Sequence, residues 1–150
     1  MSRGPEELLW HVTVLEALLG DEGSGVTKRL APRLCMILAG NHEERQIIKK
    51  RFDELYAFRC DLVHGRARKG KPYIGHLRMG RALARDSFLW VLHFLHHVRG
   101  EFQKGRGDKR LPDRKTILAL LDQKKSVVDE FRWLLDSLPR EFPYVREWIE

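Results

Sequence analysis

Cysteine is scarce in this chain, with two residues in 150, Cys35 and Cys60. Both fall inside helical patterns with apolar neighbours, which argues for free buried thiols in a reducing compartment and against a disulfide framework. Long hydrophobic runs are also missing. The apolar run at 88–92 is far too short to cross a bilayer, and the first seven residues lack the apolar core of a signal peptide. A cytoplasmic protein is therefore expected, with no membrane partner. The glycines are scattered, so no phosphate loop of the Walker or Rossmann type is present, and no His-Glu-x-x-His pattern occurs. His93 and His97 stand four apart on one helix face with His96 adjacent, yet no acidic residue or cysteine supplies an obvious third ligand. A surface or interface role is expected for them, and neither a metal nor a cofactor. Carboxylates are in deficit, 21 Asp and Glu against 28 Lys and Arg, which leaves a net charge of +7 and a pI near 9.7. That balance favours an anionic partner such as nucleic acid, although charge alone does not require one.

What is present is enough for one core. Apolar residues make up 43% and charged residues 33% of the chain, ordinary values for a soluble globular protein of this length, so residues 1–150 read as a single domain. The first helix is expected from Pro5 or Glu6 to Leu19, with Leu8, Val12, Leu15 and Leu19 in one stripe widened by Leu9 and Leu18. Gly20 ends it, and Glu16 lies beside the stripe. A second helix carries Leu30, Leu34, Ile37 and Leu38, with Ser24 or Thr27 as cap and Pro32 in its first turns. A third, opened by Asn41 with Glu44 three residues on, runs to His64 through Ile47, Ile48, Phe52, Leu55, Tyr56, Phe58, Leu62 and Val63. Gly65 stops it. A fourth spans roughly 76–99, with Leu77, Gly80, Ala84, Ser87, Val91, Leu95 and Val98 on one face and a second half that is apolar all round, either central or shared with another subunit. After a charged break at 100–110, two more helices follow, one with Ile117, Leu118, Leu120 and Leu121 and one with Val127, Val128, Phe131, Leu134, Leu135 and Leu138. A short turn carrying Trp148 is expected after Pro139. No convincing strand or repeat appears, so the fold class is an all-α bundle of about five to six helices.

The end of the third helix carries the best chemical constellation. Arg59 and His64 are five residues apart, about 140° around a helix, so their side chains flank a shared edge. Tyr56 lies one turn before Arg59, and Cys60 and Asp61 lie one turn before His64. His64 stands at the helix C-terminus, where open carbonyls and the negative end of the dipole favour a cation. Arg66, Arg68, Lys69 and Lys71 follow at once as a basic loop able to guide a phosphate backbone. An imidazole beside a permanent guanidinium suits RNA cleavage at its own 2′-hydroxyl, the histidine moving protons and the arginine stabilising the phosphoryl oxygens. The competing reading is structural: a helix-end histidine, and an arginine paired with Asp61 or a nearby Glu.

Leu55-Tyr56-x-x-Arg59-x-x-x-Val63-His64-Gly65, preceded by Leu15-Glu16-Ala17-Leu18-Leu19 and the arginine-bearing helix around Arg33, resembles the Apea-like branch of the HEPN superfamily over about residues 8–98. The resemblance implies a helical bundle, with 111–150 as a C-terminal helical extension. It also implies a metal-independent endoribonuclease in which Arg59 and His64 form the catalytic pair and the motifs of two subunits meet in a homodimer. Tyr56, Cys60, Asp61 and Glu16 would support that pair. Toxin–antitoxin and anti-phage roles follow from the same likeness, with an antitoxin or other defence protein as partner. Two departures matter: Cys60 stands where the family commonly has a polar residue, and Arg66 where nucleotidyltransferase-paired members often have tyrosine. The alternative is a catalytically inactive HEPN-type module that binds RNA or a protein, and a third reading is a basic helical DNA-binding protein.

Overall fold

The computed structural model describes residues 4–22, 27–66, 73–105, 112–136 and 138. Among these the chain is helical throughout its regular structure, with six helices and no strand: α1 (Pro5–Leu19), α2 (Leu30–Leu38), α3 (His42–Val63), α4 (Ile74–Gln103), α5 (Arg114–Leu121) and α6 (Lys125–Asp136). The expected all-α bundle is the fold. The calls on the 139–150 tail, on Ser24 and on residues 106–110 of the break lie outside the described residues, while the break expected from Gly100 starts later, because α4 continues through Gly100 to Gln103.

Local sequence explains most of the boundaries. Pro5 opens α1 at a position where its missing N–H costs nothing, and Glu6 and Glu7 sit at the positive end of the dipole. Asn41 caps α3 by accepting from the Glu44 N–H at 2.9 Å, while the Glu44 carboxylate reaches back to the N–H of Gly40. That is a capping box shifted by one residue. Asp113 caps α5 in the same way, accepting from the N–H and hydroxyl of Thr116. The start of α2 departs from expectation: Thr27 gives no side-chain cap, and its carbonyl instead accepts from the Leu30 N–H in a turn that precedes the helix. Pro32 then falls in the first turn, where an imino acid fits.

The core lies where α1 packs along α4 and where α2 and α3 pack on each other and on α4. The α1 stripe, Leu8, Val12, Leu15 and Leu19, is entirely buried, each side chain contributing about 1.5–3 kcal/mol of apolar transfer. In α3 the burial is narrower than the apolar pattern, being confined to Ile48, Phe52, Leu55 and Phe58. In α4 the expected face holds at Leu77, Gly80, Ala84, Ser87 and Val98 but fails in between. Trp90 and Phe94, stacked with ring centroids 5.3 Å apart, turn inward, while Val91 packs half-buried against the core and Leu95 is exposed. The larger rings win the core side because they remove more apolar surface from water.

One buried cation ties the ends of three helices together. Arg33 of α2 is 1% exposed. Its guanidinium donates to both carboxylate oxygens of Asp122 at 2.8 and 2.7 Å, to Asp21 at 2.9 Å and to the carbonyl of Leu19. Arg114 of α5 donates to the carbonyls of Ala17 and Gly20. The last carbonyls of α1, which no intrahelical N–H can satisfy, are therefore met by arginines from α2 and α5.

Candidate functional site

The polar cluster at the end of α3 is built from two helices. Arg59 and Tyr56 are one turn apart on α3, and Glu16 faces them from α1, about a turn before that helix ends. The Tyr56 hydroxyl donates to Glu16 Oε1 at 2.9 Å, and the Arg59 guanidinium stands 3.5 Å from the same oxygen. The guanidinium also lies over the Tyr56 ring, 5.4 Å from its centroid, within cation–π reach. All three side chains are half-buried. Burial, then the hydrogen bond to Glu16 and the Glu16 charge, pushes the Tyr56 hydroxyl up to about 12. Tyr56 is thus a neutral donor at any physiological pH, and it holds the carboxylate that holds the arginine.

His64 is placed differently. It is the C-cap of α3 and exposed, with its backbone N–H given to the carbonyls of Cys60 and Leu62. Gly65 follows with φ +65°, the left-handed conformation that glycine adopts without strain. Arg59 is therefore fixed by side chains, while the His64 imidazole is fixed only by its backbone. Cys60 is half-buried and contributes its carbonyl to that cap. Asp61 pairs with Arg66 at 3.7 Å, not with Arg59. Of the two ion pairs the sequence left open for Arg59, the one with a Glu is formed, and that Glu is Glu16. Arg66 is exposed at the mouth of the basic loop; Arg68, Lys69 and Lys71 lie outside the described residues.

Sequence reasoning missed what stands behind the cluster. Phe58, on the inner side of α3, stacks on His76 of α4 with centroids 4.8 Å apart, which fixes the start of α4 against the Arg59 end of α3. An imidazole two residues into an apolar helix was the available signal. Two apolar side chains also remain outside the core here, Val63 at 53% and Ile74 at 56% exposure, one next to His64 and one at the first residue of α4. Two concavities of about 320 and 530 Å³ share Arg29, Asp122 and Lys124 as lining residues, and neither borders Arg59 or His64. Among the described residues no group of three or more His, Cys, Asp or Glu side chains could hold a metal ion, and no helix is long and apolar enough to cross a membrane.

No family model matches the chain, and no curated protein or solved structure matches it either.

Proposed function

We propose that the chain is a HEPN-type endoribonuclease that cleaves single-stranded RNA without a metal, with Arg59 and His64 as its catalytic pair. The observation that carries this is the Glu16–Tyr56–Arg59 arrangement. It holds a guanidinium at one defined place, five residues before an exposed imidazole that is free to meet a substrate. In the reaction the 2′-oxygen of the RNA attacks the adjacent phosphorus, losing its proton to a base. The bond from phosphorus to the 5′-oxygen breaks, and that oxygen takes a proton from an acid, leaving a 2′,3′-cyclic phosphate. Arg59 stabilises the charge that builds on the non-bridging oxygens, and His64 transfers a proton. In an in-line displacement the 2′-oxygen and the leaving 5′-oxygen stand on opposite sides of the phosphorus, out of reach of one imidazole at the same moment, so a second copy supplies the other proton-transfer group. Val63 and Ile74, apolar and exposed beside His64, suit a contact between copies at this place. Unstacked RNA is the fitting substrate because its 2′-oxygen can swing in line with the phosphate, which an A-form helix resists. A toxin or anti-phage effector, restrained by an antitoxin, is the biological setting consistent with such an activity.

A second reading rests on the same contacts. Glu16 already occupies the guanidinium that the phosphate would need, as it would in a catalytically inactive module that binds RNA or a protein. The experiment is cleavage of a mixed RNA pool in EDTA by the wild-type chain, His64→Ala and Arg59→Ala, with product ends identified and folding checked by circular dichroism. Cyclic phosphate ends from the wild type, lost in both variants, are expected. Cleavage that survives in both folded variants, or that requires a divalent ion, would sink the assignment. Salt-sensitive RNA binding without cleavage would move it to the inactive module.

A further inference from the structure

The end of α1, the start of α2 and one side of α5 frame the concavity of about 320 Å³, which continues past Arg29, Asp122 and Lys124 into the one of about 530 Å³. Both fall in the size range of small-ligand sites. The floor of the first is the ion network already described. Arg33, buried, forks onto Asp122 and reaches Asp21, and Arg29 stands 3.1 Å from Asp122 and 3.8 Å from Asp21. Two arginines and two aspartates therefore balance, and their mutual hydrogen bonds fix the floor. Leu118 and Ala119 of α5 add an apolar strip beside it.

The remaining charges on the lining do not balance. Arg114, Lys115 and Lys124 are exposed and have no carboxylate partner among the described residues. Arg114 gives its Nε and Nη2 donors to the carbonyls of Ala17 and Gly20, which satisfies those donors without neutralising the charge and leaves Nη1 open. Glu22, exposed at the end of the α1 side, is the one lining carboxylate outside the network. Asp113, the cap of α5, is turned onto Thr116 and does not line the concavity. Three cations thus face one carboxylate around a neutral floor, a surplus that calls for a small anion.

We infer that this concavity binds a phosphate monoester of sugar or nucleotide size. Such a phosphate carries a charge of about −1.5 to −2 near pH 7 and three strong acceptor oxygens, which matches the surplus. Lys115 and Lys124 meet it as point charges and Arg114 through its open Nη1. The strip of Leu118 and Ala119 takes the body of the ester, and Glu22 accepts from one of its hydroxyls. A nucleic-acid strand fits less well. Its continuous phosphate backbone would pass Glu22, and no aromatic side chain lines either concavity for a base to stack on. Neither concavity borders Arg59 or His64, so the inference does not rest on the ribonuclease reading.

The test is calorimetric titration of the full chain with ribose 5-phosphate, adenosine 5′-monophosphate, adenosine and inorganic phosphate. At least one of the two esters is expected to bind about tenfold or more tighter than adenosine and than inorganic phosphate; which ester does so tells a sugar from a nucleotide body. That binding should strengthen severalfold from pH 5 to pH 7.5, because the phosphate gains its second charge near about pH 6 and no histidine lines the site. Lys115→Ala/Lys124→Ala removes side chains that hold no carboxylate in the fold, so it should keep the wild-type melting temperature and lose ester binding about tenfold or more. Should the double variant melt early, the single Lys115→Gln and Lys124→Gln variants replace it, each with a severalfold loss. No binding of either ester overturns the inference, as does adenosine or inorganic phosphate binding as tightly as both esters. Ester binding unchanged in the folded lysine variants overturns it too. Loss of single-stranded RNA binding in those variants, with no ester bound by the wild type, overturns it in favour of RNA.

Discussion

Replacing Arg33 by methionine should destabilise the chain strongly. The guanidinium makes three hydrogen bonds to carboxylates and one to the Leu19 carbonyl. Methionine fills much of the volume and leaves Asp122 nearly buried with only Arg29, at 3.1 Å, as a cationic partner. Breaking a buried pair from one side costs about 3–5 kcal/mol, a third or more of a total stability of about 5–15 kcal/mol. With a urea slope of about 1–3 kcal/mol per M, the unfolding midpoint should fall by about 2 M. Arg33→Lys should recover little, because an ammonium cannot fork onto Asp21, Asp122 and a carbonyl at once. Acid gives an independent measurement. The hydrogen bonds from Arg33, against the opposing effect of burial and with the nearby arginine charges adding, hold the Asp122 carboxyl below the usual range. A carboxyl whose pKa is lower folded than unfolded contributes stability that is complete above its unfolded value and is lost as pH falls through the folded one. The wild type should therefore weaken below about pH 4, the unfolded aspartate value. In Arg33→Met that part of the acid sensitivity should be missing. Urea melts of both proteins at pH 7, 5 and 3 measure both effects. A loss under about 1 kcal/mol, or the same acid slope in both proteins, would refute a buried ion pair that joins three helices.

Three further outcomes are expected. Tyr56 should titrate well above an ordinary tyrosine, with tyrosinate absorbance rising near pH 12 and that step missing in Tyr56→Phe. Its folded pKa is raised, so its contribution to stability is complete below about pH 10, the unfolded value, and is lost as pH rises through the folded one; a step near pH 10 that disappears in Tyr56→Phe would contradict the Glu16 contact. Gly80→Ala should stabilise the chain by about 0.5–1 kcal/mol in thermal melts, since a Cβ there meets Leu55 and His11 at ordinary contact distances of 3.5–3.7 Å; destabilisation would mean that α1, α3 and α4 are packed too closely for it. Gln123, at φ 55°, ends α5 in the left-handed region, so Gln123→Gly should raise the urea midpoint by the equivalent of about 1 kcal/mol, whereas a fall would give its side-chain contact with Met36 the larger role.

The sequence made α1 and α3 legible because their boundaries are local: Pro5, Gly20, Asn41, Glu44 and Gly65 act on backbone within a turn of themselves. The polar set at Tyr56, Arg59 and His64 was legible for the same reason, as it lies within three turns of one helix. Its connection to Glu16 was visible only as a carboxylate beside an apolar stripe, since the hydroxyl it accepts from is 40 residues away. Periodicity grouped Val91 and Leu95 on one face, but it cannot rank two apolar sides of one helix; Trp90 and Phe94 are buried, Val91 is half-buried against the core and Leu95 is exposed. Arg33 stood in the sequence as a charge within an apolar helix. Its meaning depends on Asp122, 89 residues further on, and no local pattern carries that.

The way α1 ends has a consequence for the limits of the folding unit. Its C-cap Gly20 is extended and gives its N–H to Glu16, so the carbonyls of Ala17, Leu19 and Gly20 find their donors on Arg33 and Arg114. Two of the three are closed by a residue that follows the long α4, and Arg33 itself depends on Asp122 beyond it. Residues 114–122 are thus part of the termination of the first helix and not an appendage to a finished bundle. A chain cut after α4 would leave open carbonyls at one end of α1 and a half-paired arginine beneath them. A segment that stops short of Arg114 therefore lacks the donors that close the end of α1.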